Sequence, residues 1–298
     1  MFKTAKLIAR GIVKTFELVR SADSAAFYEY LGDDVLEGCD TGFKDNAKPL
    51  WLNLGYWETA RTFPDACAAM ADLVGKAARL DKNTELLDVG FGFAEQDFYW
   101  LEQFQIKHVI GLDITPTHVE RGQQRAKDRG LSARMDLRLG SATELSLADK
   151  SVDAVTALEC SFHFDTREKF FAEAFRVLRP GGTIATADIL PGDGLGPPNA
   201  VAKFALKRVA LPLANLYDRN EYKRKLEALG FTNVTCTSIR NHVFPGYTKY
   251  TELRRKGKSI YDAKVELTPQ EIADCYGIHH WVPIGISDYI ICSAQKPA

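Results

Sequence analysis

The chain has 298 residues, 46% hydrophobic and 26% charged, the balance of a globular protein with one good-sized core and not of a disordered or fibrous one. Its 38 basic and 39 acidic residues nearly cancel, so no overall field draws it to nucleic acid, and the expected partner is a small molecule. No apolar run reaches the length of a membrane span. The six cysteines (Cys39, Cys67, Cys160, Cys236, Cys275, Cys292) hold no CxxC pair, which argues against a zinc site or a disulfide framework and points to a reducing cytoplasm.

In chain order, Ala5, Ile8, Ile12, Phe16 and Val19 recur at helical spacing beside Lys3, Lys6, Arg10 and Lys14, which predicts an amphipathic basic helix. It reads as a lid packed on the domain, with weak contact to an anionic membrane surface through residues 1–20 as the alternative. Residues 21–62 show no period and end in Leu52-Asn53-Leu54-Gly55-Tyr56-Trp57; with the helix they form an N-terminal lid or gate over 1–62. Pro64 opens a helix at 64–78 that places Ala66, Met70, Val74 and Ala77 on one face.

Strands and helices then alternate: strand 85–89, helix 95–104, strand 108–112, helix 116–129, strands 135–139 and 152–157, helix 166–178, strand 183–189. Such alternation marks a parallel sheet covered on both faces, with ligands at its carboxyl edge. Asp165 and Glu168 suggest a capping box for the helix at 166–178, and Pro180-Gly181-Gly182 turns the chain back into the sheet. Beyond Asp188 the run Pro191 to Pro198 is irregular, a basic apolar stretch occupies 200–216, a helix at 218–229 closes on Gly230, and strands follow at 233–239 and 287–294. Residues 240–280 carry no clear period and read as an insertion. The main domain therefore spans 63–298, with acceptor-binding insertions at 190–216 and 240–280.

The densest signal is Leu86-Leu87-Asp88-Val89-Gly90-Phe91-Gly92-Phe93-Ala94, a buried strand running into a glycine-rich turn, followed by Ile110-Gly111-Leu112-Asp113, a strand that ends in an acid. Glycine admits a ligand to the backbone where a Cβ would exclude it, and an acid one βα unit on sits where a ribose diol is held. These features mark a nucleoside-type cofactor. The turn alone is shared with nicotinamide and flavin enzymes, but here it reads Gly90-x-Gly92-x-Ala94, and Gly140-Ser141-Ala142-Thr143 follows the third strand where an adenine fits.

Joined to Asn53-Leu54-Gly55-Tyr56-Trp57, Gln96-Asp97-Phe98, Asp113-Ile114-Thr115-Pro116 and the run from Phe170 to Pro191, these stretches resemble the class I methyltransferases that use S-adenosylmethionine. Within them the similarity is to the erythromycin-type natural-product branch, which methylates sugar hydroxyls or prenyl diphosphates. The resemblance covers about residues 50–240. It implies a doubly wound, mostly parallel seven-stranded sheet with an antiparallel seventh strand, S-adenosylmethionine as cofactor and S-adenosylhomocysteine as product. It also implies Gly90 and Gly92 backbone at the methionine portion, Asp113 and Ile114 at the ribose, Ser141 and Ala142 at the adenine, Gln96 at the carboxylate and Tyr56 over the sulfonium. Asp88, which orients the turn, and Glu159, toward the ammonium, complete the expected cofactor set.

Methyl transfer from a sulfonium asks chiefly for alignment, worth about 7–11 kcal/mol, and an alcohol acceptor also asks for a base. The candidates are Glu159, His163 and Asp188, near strand ends, and the leading reading is O-methylation of a small, largely apolar natural product. The alternative is C-methylation of an isoprenyl diphosphate, with Glu159 as base, Phe162, Phe164, Tyr247 and Trp281 facing the carbocation, and Lys203, Lys207, Arg208, Arg254, Arg255 and Lys256 for the diphosphate. No protein metal site is expected; Mg enters only with a diphosphate acceptor, through Asp188 and Asp193. A nicotinamide-dependent oxidoreductase is a more distant reading, because no Tyr-x-x-x-Lys constellation supports it. Nothing in the chain specifies an oligomeric state.

Overall fold

The computed structural model describes residues 49–192, 200, 203, 204, 206, 211–259, 263–275, 277 and 285–298. The expected N-terminal helix and most of the gate lie outside the described residues, as do Asp193, Lys207, Arg208 and Trp281.

Helix α1, Phe63–Ala77, starts where the Thr62 hydroxyl accepts from Asp65 N and Pro64 sits in the first turn; it buries Ala66, Cys67, Met70, Ala71 and Val74. Then follow β1 (Glu85–Val89), α2 (Glu95–Gln103), β2 (His108–Asp113), α3 (Pro116–Asp128), β3 (Met135–Leu139), β4 (Val152–Leu158), α4 (Arg167–Val177) and β5 (Leu178–Pro191). The chain ends with α5 (Arg219–Ala228), β6 (Thr232–Ser238), α6 (Arg240–Arg255), α7 (Pro269–Asp274) and β7 (Ile286–Gln295).

The seven strands order as β3-β2-β1-β4-β5-β7-β6; the first five are parallel and β7 runs antiparallel between β5 and β6. The expected doubly wound sheet with an antiparallel seventh strand is what forms. Central strands are apolar on both faces, as in Leu86, Leu87 and Val89 of β1, because helices cover both sides. The chain reverses direction across the sheet between β1 and β4, so the carboxyl ends of β1, β2 and β4 open on one crevice, the usual ligand position of such sheets.

Four expectations are corrected. The N-cap of α4 is Thr166, whose hydroxyl accepts from Lys169 N, and not Asp165. Strand β5 begins at Leu178, and Pro180-Gly181-Gly182 forms a bulge within it, between the pairs Val152↔Leu178 and Ala154↔Thr183. Region 240–280, read as an insertion with no clear period, contains α6 and α7; Pro245 lies inside α6 and Gly246 packs on Trp57, where a Cβ would come within 2.1 Å of the indole. Cys236 and Cys292, separated by 56 residues, meet in register on β6 and β7 and form a disulfide. Sequence spacing does not show such a pair, because strand register alone brings it together.

At the far end of the sheet Lys296 Nζ donates to the carbonyls of Phe175 (2.5 Å) and Leu178 (2.7 Å), which closes the C-terminus of α4 with a cation.

Candidate active site

A cavity of about 540 Å³ opens at the carboxyl ends of β1, β2 and β4. One end is built from backbone. Gly90, at φ +71°, donates its amide to Leu112 O at 2.6 Å, and a Cβ there would lie 2.6 Å from Cys160 Cβ. Gly92, at φ +58°, leaves no room for a Cβ, which would fall 2.7 Å from Leu52 Cδ1, and its amide donates to Asp113 Oδ2 at 2.9 Å. Asp113, at the end of β2, takes Thr115 N on Oδ1 at 2.8 Å, and His118 Nδ1 lies 3.3 Å from the same oxygen. A carboxylate has about four lone-pair sites, so Asp113 can still accept two hydroxyls from a ligand. Ile114 and the turn Gly140-Ser141-Ala142-Thr143 complete this end.

Behind the glycine turn lies a buried polar cluster. Asp88 accepts from Thr156 Oγ1 at 2.7 Å and from Gln96 Nε2 at 3.1 Å, and Asp97 of α2 packs its carboxyl on Asp88. Burial pushes both acids up, Asp88 to about 7. Asp88 is fully buried and lines no part of the cavity, whereas Gln96 does line it.

The other end is assembled from distant segments. Glu159 follows β4 in a left-handed backbone conformation, φ 54°, and its Oε1 accepts from Leu54 N at 2.8 Å and from Tyr289 Oη at 2.5 Å. Burial raises its carboxyl to about 8, against the lowering effect of those two donors. His163 ends the single turn Ser161–His163, its ring 4.1 Å from that of Phe162. Phe162, Phe164, Ile189, Leu211 and Tyr247 supply an apolar wall, and no Lys or Arg is among the described lining residues.

Besides Asp88, two further sequence candidates sit outside the lining. Asp188 is fully buried and outside the lining; its carboxylate takes Arg167 Nε at 2.8 Å, the Ser161 hydroxyl and Ile189 N. That placement removes it as a base, because the ion pair and two donors occupy its oxygens. It also ties down the turn that carries His163. Tyr56 donates to Glu58 Oε2 at 2.9 Å and packs its ring near His242, away from the lining. The metal expectation for Asp188 loses its geometry in the same way, and among the described residues no cluster of three acid, His or Cys side chains is placed to hold an ion.

Gly90, Gly92, Gln96, Asp113, Ile114, Ser141, Ala142, Glu159 and His163 thus share one cavity. Sequence reading missed His118, Leu54 and Tyr289. His118 carried a usable signal, the third position of a helix opened by Pro116 directly after the acid. Leu54 and Tyr289 lie 105 and 130 residues from Glu159 and carried none.

Residues 87–186 match a protein family described as "Methyltransferase domain". The chain is 32% identical over 258 residues to erythromycin 3''-O-methyltransferase of Saccharopolyspora erythraea, covering 83% of this chain and 84% of that protein. It is 28% identical over 224 residues to 27-O-demethylrifamycin SV methyltransferase of Amycolatopsis mediterranei, covering 74% and 81%. In fold it is similar to geranyl diphosphate C-methyltransferase of Streptomyces coelicolor A3(2), with a TM-score of 0.66 at 16% identity over 89% of this chain and 97% of that one.

Proposed function

The chain belongs to the class I S-adenosylmethionine-dependent methyltransferases, and from that premise we propose that it methylates a hydroxyl of a small, mostly apolar natural product. The observation that carries this reading is the union, in one 540 Å³ cavity, of a glycine-and-acid cradle with an apolar wall bearing a histidine.

The cradle fits the cofactor. Gly90 and Gly92, where a Cβ would collide, would offer backbone to the methionine portion; Asp113 would accept both ribose hydroxyls, and Ser141 and Ala142 would meet the adenine edge. When bound, S-adenosylmethionine supplies the methyl group and a sulfonium whose positive charge vanishes on transfer. His163, on the wall of the same cavity, would take the proton of an acceptor hydroxyl. Phe162, Phe164, Ile189 and Leu211 hold the acceptor and exclude water. Glu159, held by Leu54 and Tyr289, would stand toward the positively charged methionine end of the cofactor. Through Leu54 it also ties the gate, proposed over residues 1–62, to the domain over 63–298.

The second reading, carbon methylation of a prenyl diphosphate with Glu159 as base, draws support from the aromatic faces of Phe162, Phe164 and Tyr247 beside that carboxyl. Its cations are the weak point: Lys203, Arg254, Arg255 and Lys256 are described and none lines the cavity. Incubation with methyl-labelled cofactor and a panel of glycosylated, phenolic and prenyl diphosphate acceptors decides between them. Label on a neutral hydroxyl is expected, and label on a prenyl carbon overturns the proposal.

A further inference from the structure

Gln96 stands in the first turn of α2, where its carboxamide meets Asp88 and the residue lines the cavity. Asp88 and Asp97 are two carboxyls packed together with no exposure to solvent, so they hold a proton between them. Asp88 receives the Thr156 hydroxyl at 2.7 Å and the Gln96 amide at 3.1 Å, whereas the oxygens of Asp97 take no N–H or O–H from the described residues. The Thr156 donor stabilises charge on Asp88 while no donor serves Asp97, so the proton resides on Asp97 whichever way the Gln96 amide is set. An ionised Asp88 offers only lone pairs. The side of Gln96 that meets it has to be the NH2, and the side turned to the cavity is the carbonyl oxygen.

We propose that Asp88 is a positioning residue that fixes the Gln96 amide with its oxygen toward the cavity, so that Gln96 recognises the ammonium of the cofactor's methionine group and not its carboxylate. This rests on the methyltransferase reading and corrects the sequence expectation, which placed Gln96 at the carboxylate. A carboxylate there would meet an acceptor and be repelled; an ammonium has three donors to give.

Calorimetric binding to the full chain tests it with three probes: S-adenosylhomocysteine, its analogue lacking the amino group, and its analogue lacking the carboxylate. Gln96→Met, which keeps the volume and removes both polar atoms, is expected to weaken S-adenosylhomocysteine and the decarboxylated analogue by about tenfold, the size of a hydrogen bond to a charged group, and to leave the deaminated analogue unchanged. Asp88→Asn, which admits either amide orientation, is expected to reproduce part of that amine-specific loss with an unaltered far-ultraviolet spectrum. A loss at Gln96→Met that follows the carboxylate, falls on all three probes alike, or is absent overturns the inference. An amine-specific loss at Gln96→Met with none at Asp88→Asn overturns the positioning role. Failure of the unsubstituted protein to bind S-adenosylhomocysteine would strike the methyltransferase reading instead, so the two failures are distinguishable.

Discussion

The two ends of the cavity are made in different ways. At the cofactor end, Gly90, Gly92 and Asp113 lie within 24 consecutive positions, on strand ends whose register is set by pairing of β1 with β2, and the two glycines can offer only backbone. At the acceptor end, Glu159 depends on Leu54 and Tyr289, and His163 depends on a turn secured by Ser161, Asp188 and Arg167. A backbone-built end tolerates much variation in side chains and keeps its ligand; a side-chain-built end can be altered one residue at a time. The comparison teaches why the cofactor can be inferred from a few motifs and the acceptor cannot.

Substitutions at each end should separate along these lines. The largest effect is expected at Arg167→Met, which strands the buried Asp188 carboxylate and should cost about 3–5 kcal/mol in denaturant unfolding. A loss below about 1 kcal/mol would mean the acceptor end does not lean on this pair. On the proposed role of His163 as proton acceptor, His163→Ala should lower turnover by about 100-fold or more while calorimetry shows cofactor affinity unchanged. Turnover that survives this change but disappears in Glu159→Gln would transfer the proton to Glu159 and favour carbon methylation. Asp113→Ala should weaken S-adenosylhomocysteine by about tenfold or more through loss of charge-assisted hydrogen bonds, and an unchanged dissociation constant would remove the ribose assignment.

The smallest effect is a pH dependence. Glu159 is raised to about 8 in the folded protein, so between the ordinary carboxylate range and that value the native state holds a proton the unfolded chain has released. Stability from this group is therefore full on the acid side and declines as pH rises toward 8. Thermal midpoints of the cofactor-free protein should fall from pH 5 to 8.5 more steeply than those of Glu159→Gln, by a few degrees at most. Parallel slopes would show that burial at this end is shallower than the geometry indicates.

The sequence pattern located every strand of the sheet to within a residue or two, apart from the early start of β5; most are short apolar runs bounded by turn residues, while the edge strand β6 is largely polar. The juxtaposition of Gly90, Gly92 and Asp113 was equally legible, because a glycine-rich turn ends one strand and an acid ends its parallel neighbour. Asp188 looked like a base from its place at a strand end, and only the packing of Arg167, 21 residues earlier, shows that it is spoken for. Tyr56 failed for a similar reason, since its hydroxyl turns to Glu58 and its ring to His242, a contact no local pattern encodes. Helix α6 hid behind Pro245 and Gly246, whose breaker character is offset by the fit of Gly246 against Trp57.

The position of β7 bears on how the molecule is made. This strand, residues 286–295, is the last of the seven to leave the ribosome, yet it sits between β5 and β6 and is the only described strand that β6 pairs with. Until it emerges, the nascent chain carries one open edge on β5 and an unpaired β6, both templates for mispairing with other chains. Sheet completion thus waits on β7, and chaperone demand should persist until that strand emerges. Nascent chains arrested before residue 286 should remain protease-sensitive across β6, and those arrested with β7 outside the tunnel should resist.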